Sequence, residues 1–159
     1  MSDAISIRYA TDADLDQVFK IEQQAGNAAH WERATYAAIV SAAVNAQPKR
    51  ALLVGERAGE IVGFAVTRAV SITGYATDCE LENIAVAPWA ARTGIGTALL
   101  QSVCDWARSE GAVELRAEVR ESNTAAQELY EAAGFEQTAI RTKYYRRPDE
   151  DARMLRLHL

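Results

Sequence analysis

Apolar and polar residues alternate along several stretches of the chain, with the period of two that is typical of half-buried β-strands. The clearest stretch is residues 113–120, where apolar and charged residues follow each other without a break. It predicts one face made of Val113, Leu115, Ala117 and Val119, and an opposite face made of Glu114, Arg116, Glu118 and Arg120. Further strands are predicted at residues 5–9, 50–56, 60–70, about 77–86, near 135–145 and at 153–158.

Other stretches place apolar residues three and four positions apart, as on the buried face of an α-helix. The first helix is predicted to follow a capping box that runs from Thr11 to Asp14, and to end at Gly26. A second is predicted over about residues 32–45, with Pro48 closing it, and a third over about 94–109. A fourth begins at a Ser-Asn cap, residues 122–123, and ends at Gly134.

Strands that alternate with helices and end in a hairpin predict an α/β fold, with a central mixed sheet and helices on both faces. The chain has 159 residues, of which 49% are hydrophobic. That length supports one domain with a sizeable core, so residues 1–159 are predicted to form a single domain.

Composition narrows the class of protein. The first residues lack the basic start and apolar run of a signal peptide, and no window is long enough to cross a membrane, so we expect a cytoplasmic protein. Cys79 and Cys104 have no zinc-ligand spacing and are expected to be reduced and structural, and two histidines add no metal cluster. A net charge of −5 argues against general nucleic-acid binding and would suit a basic protein or an amine as partner.

The most informative stretch is residues 80–100, in which a strand is followed by a loop with Gly94 and Gly96 and then by a helix. Such a loop presents unpaired backbone N–H groups at a helix N-terminus, which is a site for a phosphate or pyrophosphate. A P-loop would require lysine directly after the last glycine, where Thr97 and Ala98 stand. A dinucleotide-binding loop would require a small residue where Leu99 stands.

The window Ala91-Arg92-Thr93-Gly94-Ile95-Gly96 resembles motif A of the GNAT-family N-acetyltransferases, an Arg/Gln-x-x-Gly-x-Gly/Ala loop, although Ala91 departs from it. Residues 123–135 resemble the family's Asn-x-x-Ala-x-x-Leu-Tyr-x-x-x-Gly-Phe segment. Closer likeness to the bacterial ribosomal-protein alanine N-acetyltransferases of the RimI type is found in residues 83–86, 118–120, 122–123, 140–145 and 150–152. The likeness extends along nearly the whole chain and implies the GNAT fold, a mostly antiparallel twisted sheet of about seven strands.

The resemblance implies acetyl-coenzyme A as co-substrate, no metal, and transfer of acetyl to the N-terminal α-amine of a protein, possibly a ribosomal protein. The cofactor would bind the backbone of the strand before the glycine loop, the glycine loop itself, and the start of the fourth predicted helix. The implied residues are Ile84, Ala85, Val86, Arg92, Thr93, Gly94, Ile95, Gly96, Thr97 and Asn123. From pattern alone, Asn123 is equally a helix N-cap.

Acetyl transfer to an amine requires one group that accepts a proton from the amine and one that protonates the leaving thiolate. By the resemblance, Glu118 is the general base and Tyr130 the general acid. From pattern alone, Glu118 is a solvated strand carboxylate and Tyr130 a core aromatic residue. Glu80 and Glu82, two apart on one strand face, are rival bases.

The sequence says least about the site that binds the acceptor amine. Trp31, beside His30, falls in a loop where related enzymes often carry an aromatic residue on the substrate side. Tyr144 and Tyr145 are expected to form a wall for a peptide N-terminus, with four cations around them: Arg141, Lys143, Arg146 and Arg147. Two alternatives stay open, namely acetylation of a small amine or lysine side chain, and a non-catalytic acyl-coenzyme A sensor.

Overall fold

Seven strands join in one sheet in the computed structural model, which describes residues 4–26, 29–146 and 148–159. The strands are β1 (Ile5–Tyr9), β2 (Lys49–Arg57), β3 (Glu60–Val70), β4 (Asp78–Val86), β5 (Glu114–Arg120), β6 (Glu136–Tyr145) and β7 (Glu150–His158). Their order across the sheet is β1-β2-β3-β4-β5-β7-β6, and every neighbouring pair is antiparallel except the β4–β5 pair. This confirms the predicted mixed, mostly antiparallel sheet.

Helices cover both faces of the sheet. They are α1 (Leu15–Gln24), α2 (Arg33–Ser41), α3 (Ile95–Ser109) and α4 (Thr124–Ala133). Phe64 of β3 packs edge-on against Tyr36 of α2, with ring centroids 5.4 Å apart, whereas the adjacent Gly63 faces Leu99 of α3. Because neighbouring residues of a strand point to opposite faces, α2 and α3 lie on opposite sides of β3.

Three local predictions were wrong. The second helix was expected to reach residue 45, but α2 ends at Ser41 and Ala42 is extended. Only Tyr36 of α2 is buried, so the alanines that follow lack the tertiary packing that sustains a short helix. Val113 was placed on the buried face of β5, but it precedes the strand and is 62% exposed, whereas Leu115 is fully buried. The strand at the C-terminal end also begins three residues earlier than expected, at Glu150.

The parallel β4–β5 pair separates after a short ladder. Residues 79–81 of β4 pair with residues 115–117 of β5, and no pairing between the two strands continues beyond them. On its other side, β4 stays paired with β3 as far as Val86, across an irregularity between Val66 and Thr67. The second half of β4 therefore keeps one open backbone edge, which faces the gap between the strands.

Both cysteines are free and buried, as a structural role predicts. Burial raises the pKa of the Cys79 thiol to about 11, so it is not poised as a thiolate. In the described part of the chain, no helix is both long and apolar enough to span a bilayer.

Candidate active site

Two connected depressions occupy the gap between β4 and β5. The glycine-loop groove runs along the end of β4, the start of α3 and the facing side of α4. The carboxylate cleft lies beside it and contains Glu80, Glu82 and Glu118 together with aromatic residues. Both are lined by Ile84, Asn123 and Ala126, so the groove opens directly into the cleft.

The glycine loop delivers free backbone donors to this groove. Gly94 adopts a left-handed conformation with φ of 90°, which favours glycine, and directly precedes α3. The N–H of Ala98 donates to the carbonyl of Gly94 at 3.0 Å, which leaves the three preceding N–H groups without a partner inside the helix. These donors and the helix dipole fit a pyrophosphate.

Most of the predicted cofactor residues line the groove. They are Ile84, Ala85, Val86, Arg92, Gly94, Gly96, Thr97 and Asn123. Ala91, which replaces the family's Arg or Gln, also lines it, but its methyl group offers no donor. Leu129 of α4 forms the opposite wall and would lie 3.4 Å from a Cβ at Gly96.

Three predicted cofactor residues have side chains occupied elsewhere. The Thr93 hydroxyl donates to the carbonyl of Ala90 and closes the loop. The Ile95 side chain is 1% exposed in the core, so only its N–H is available to a ligand. The Asn123 side-chain oxygen accepts the N–H of Ala126 at 3.1 Å, which makes this residue the N-cap of α4 as well as a lining residue.

Glu118 lies in the carboxylate cleft, half-buried, and forms no ion pair within 4 Å among the described residues. Burial, followed by the negative charge of Glu80, raises the pKa of its carboxyl. Arg141, Arg116 and the Tyr144 hydroxyl act in the opposite direction, but the net direction remains upward. A carboxylate with a raised pKa in a cleft is suited to accept a proton near neutral pH.

The two rival carboxylates are engaged with arginines. Glu80 accepts a hydrogen bond from Arg68 at 3.1 Å, and Glu82 accepts one from Arg50 at 2.7 Å. Both line the cleft on the same face, as the sequence predicted. Each of these carboxylates therefore already has a charged partner, and its oxygens are less available to an incoming amine.

Tyr130 projects from α4 into the same cleft and packs on Phe135, with ring centroids 5.2 Å apart. Its side chain is 5% exposed, and its hydroxyl has no hydrogen-bond partner in the described part of the chain. Burial, then the nearby Tyr145, raises the pKa of the Tyr130 phenol. The hydroxyl therefore keeps its proton at neutral pH and is free to donate it to a ligand.

Tyr144 and Tyr145 both line the cleft, with their rings edge to face at 5.3 Å. The Arg120 guanidinium lies 4.1 Å from the centre of the Tyr145 ring, and Arg141 lies 5.2 Å from that of Tyr144. Burial, with the negative charge of Glu118, raises the pKa of Tyr145 to about 12. Of the cations expected around them, Arg147 lies outside the described residues.

Trp31 lines the cleft from the opposite side, and a buried polar network holds its backbone there. Glu22, 2% exposed, accepts the Trp31 N–H at 2.6 Å and the Tyr36 hydroxyl at 3.2 Å. The Asn83 amide of β4 donates to the Tyr36 hydroxyl at 2.9 Å. Sequence reasoning missed this network. A signal existed, because Glu22 follows Val18 by four residues on the apolar stripe of α1.

Residues 15–135 of the chain match the acetyltransferase (GNAT) family. Escherichia coli ribosomal protein bS18-alanine N-acetyltransferase is 36% identical over 146 residues, covering 91% of this chain and 90% of that protein. A Klebsiella aerogenes aminoglycoside N(6')-acetyltransferase type 1 is 34% identical over 109 residues, covering 65% of this chain and 69% of that protein.

The crystal structure of the ribosomal-protein-S18-alanine N-acetyltransferase from Escherichia coli superimposes with a TM-score of 0.78 at 33% identity, covering 98% of this chain and 94% of that one. The family match, the relatives and the splayed strands beside a glycine loop lead to one conclusion. The chain belongs to the acetyltransferase (GNAT) family and is an N-acetyltransferase, in a family that uses acetyl-coenzyme A as acetyl donor.

Proposed function

We propose that this enzyme transfers the acetyl group of acetyl-coenzyme A to the N-terminal α-amine of a protein that begins with alanine, and that the protein is ribosomal. The relative that is 36% identical over 91% of the chain is named for that reaction. The observation that carries the proposed chemistry is an unpaired carboxylate, Glu118, in one cleft with the unpartnered hydroxyl of Tyr130.

The cofactor is assigned to the glycine-loop groove. Its pyrophosphate would accept hydrogen bonds from the N–H groups of Ile95, Gly96 and Thr97, and Arg92 adds a positive charge at the same end. Its pantetheine arm would pair with the open backbone edge of β4 at residues 84–86. The thioester would then reach the junction of the groove and the cleft, where Ile84, Asn123 and Ala126 line both.

Glu118 acts as general base in this proposal. A protein α-amine has an unperturbed pKa of about 7.7–8.0, so much of it carries an extra proton at neutral pH. Glu118 accepts that proton, directly or through a water, and frees the nitrogen lone pair to attack the acetyl carbonyl carbon. Glu80 and Glu82 are less suited because arginines hold them as ion pairs.

Tyr130 acts as general acid at the other end of the reaction. When the carbon–sulfur bond breaks, its electron pair stays on sulfur, and the phenol donates its proton to the thiolate. An unperturbed tyrosine has a pKa of about 10, above the value of about 8.5 for a cysteine-like thiol, and burial raises the pKa of Tyr130 further. The phenol therefore gives up its proton only as negative charge develops on the sulfur beside it. The attacking nitrogen loses a second proton as the amide forms, and this proton returns to the Tyr130 phenolate, while Glu118 releases its proton to solvent. The products are an acetylated amine, the free coenzyme A thiol and one proton.

Release of free thiol from acetyl-coenzyme A tests the substrate directly. The purified protein is incubated with acetyl-coenzyme A and matched peptides that begin with alanine, serine or methionine, with peptides that carry internal lysine, and with small amines. A preference for the alanine peptide, with acetyl found on its α-amine by mass spectrometry, is the expected result. Cofactor binding without thiol release from any acceptor would contradict the proposal and favour the sensor.

Two substitutions test the assigned roles. Glu118→Gln and Tyr130→Phe should each lower kcat by roughly 10²-fold or more, because general acid or base catalysis contributes about 10²–10⁴-fold, while the Kd for acetyl-coenzyme A stays within about twofold. Glu114→Gln is the matched control, since Glu114 lies on the same face of β5, near Arg156, outside the cleft. Full activity of Glu118→Gln would move the base to Glu80 or Glu82.

Acetylation of a small amine is the second candidate. The likeness to an aminoglycoside N(6')-acetyltransferase over 65% of the chain favours it. The three carboxylates of the cleft would also suit a polycationic amine. In the acceptor panel, thiol release with aminoglycosides that exceeds release with every peptide would support this candidate over the first.

A further inference from the structure

Strand β6 contains a bulge beside the carboxylate cleft. Arg141 lies opposite Ala152 of β7, and Tyr145 lies opposite Glu150. Three residues of β6, 142–144, therefore stand opposite a single residue of β7, Asp151. Within the bulge, Lys143 has φ of 51°, a left-handed conformation that is unfavourable for a residue with a side chain.

The bulge changes which way the side chains of β6 point. In a regular strand, Tyr144 and Tyr145 would point to opposite faces of the sheet. Here both line the cleft that contains Glu118. The wall of the cleft thus depends on an irregular backbone, which needs a specific interaction to hold it.

Asp151 supplies that interaction. Its carboxylate oxygen Oδ1 accepts the backbone N–H of Lys143 at 2.9 Å, and this is the hydrogen bond at the strained residue. Its own carbonyl accepts the N–H of Glu121 at 3.1 Å, which ties β7 to the end of β5. Arg120, the preceding residue, stacks on Tyr145. One half-buried residue therefore contacts both the bulge, through its carboxylate, and the end of the strand that carries Glu118, through its backbone carbonyl.

We propose that Asp151 is a positioning residue, which fixes the β6 bulge so that Tyr144 and Tyr145 form the acceptor wall beside Glu118. The inference rests on the proposed function, because the wall matters only if an acceptor amine enters this cleft. Asp151 does not line the cleft and takes no part in proton transfer. Its effect reaches the acceptor through the backbone of Lys143 and the two tyrosines.

Acceptor kinetics test this assignment. Asp151→Ala should raise the KM of the peptide acceptor roughly tenfold, because a charge-assisted hydrogen bond that holds the wall is lost. The KM of acetyl-coenzyme A should stay within about twofold, since the glycine-loop groove does not include the bulge. Asp151→Asn keeps an acceptor oxygen and should restore most of the wild-type KM. Asp149→Ala removes an exposed carboxylate of the same turn and is the matched control.

A second variant separates the bulge from a general loss of structure. Glycine adopts positive φ without a steric penalty, so Lys143→Gly in the Asp151→Ala background should partly restore the peptide KM. Equal loss in the single and double variants would contradict the proposal. So would a wild-type peptide KM in Asp151→Ala.

Hydrogen exchange gives a readout that needs no acceptor. The Lys143 amide should be protected in the wild type and in Asp149→Ala, and should exchange at least tenfold faster in Asp151→Ala. If the wild-type enzyme acetylates no peptide, the proposed function fails, and this measurement still decides whether Asp151 holds the bulge. Unchanged exchange of the Lys143 amide in Asp151→Ala would overturn the inference by itself.

Discussion

Gly63 of β3 sets how closely α3 approaches the sheet, and replacing it by alanine should weaken both folding and cofactor binding. A Cβ at this position would lie 3.0 Å from the carbonyl oxygen of Ala85, 3.0 Å from Cγ2 of Ile95 and 3.1 Å from Cδ1 of Leu99. These separations are shorter than van der Waals contact, and the Ala85 oxygen belongs to the backbone of β4, so it cannot rotate away. The β4 backbone must shift, and the contacts with the buried methyl groups of Ile95 and Leu99 push helix α3 outward.

The expected cost follows from two opposing contributions. Overpacking a well-filled core costs about 1–3 kcal/mol. Alanine is more favourable than glycine inside a strand by roughly 0.5–1 kcal/mol. We therefore expect Gly63→Ala to lower the free energy of unfolding by about 1–2 kcal/mol. Because Ile95 is the first residue of α3, its shift also moves the free N–H groups at the helix start, and the Kd for acetyl-coenzyme A should rise.

Urea unfolding of Gly63→Ala and Gly55→Ala measures this effect. Gly55 of β2 faces the same Ile95 methyl, but from 3.2 Å, and the nearest backbone atom is the Gly63 oxygen at 3.8 Å. Flexible side chains can give way there, so Gly55→Ala should lose less stability than Gly63→Ala. Equal losses in the two variants, or an unchanged urea midpoint at constant m-value in Gly63→Ala, would refute the packing argument.

Two further substitutions test the electrostatics and the buried network. The negative charge of Glu80 helps to raise the pKa of Glu118, so Glu80→Gln should lower the pKa of Glu118. The acidic limb of the pH profile of kcat/KM should then move to lower pH. A shift to higher pH would contradict the assignment of Glu118 as base. Tyr36→Phe leaves the Asn83 amide without its acceptor and Glu22 without one of its donors. The free energy of unfolding, measured in urea, should therefore fall by about 1–3 kcal/mol. An unchanged free energy of unfolding would show that a water molecule replaces the hydroxyl.

Patterns in short stretches predicted most of the fold. The strict alternation that ends in Val119 located the buried face of β5, and the Ser-Asn and glycine signals bounded α4 correctly. The errors lie where the local pattern continues but the rest of the fold no longer packs against it. The alanines after Ser41 continue a helical pattern but have nothing to pack against, and Val113 continues an alternating pattern beyond the covered part of the strand.

The sequence predicted the residues of the candidate site better than it predicted their arrangement in space. Spacing and resemblance selected Glu118, Tyr130 and the glycine loop, and the structure brings all three to one connected groove and cleft. Our proposal of Glu118 over its rivals could not come from the sequence, because it depends on ion pairs between strands: Arg68 of β3 pairs with Glu80, and Arg50 of β2 pairs with Glu82.

The sequence by itself determined most of the order and type of the elements and the family, and it gave candidate residues for acetyl transfer. These follow from periods of two and 3.6 residues and from the likeness to the family's motifs. Only the tertiary structure decided that β4 and β5 separate after three residue pairs, that Glu22 and Tyr36 form a buried network, and that Asp151 holds a bulge in β6. Each of these joins residues of different helices or strands, and their contacts depend on register and packing, which no local pattern encodes.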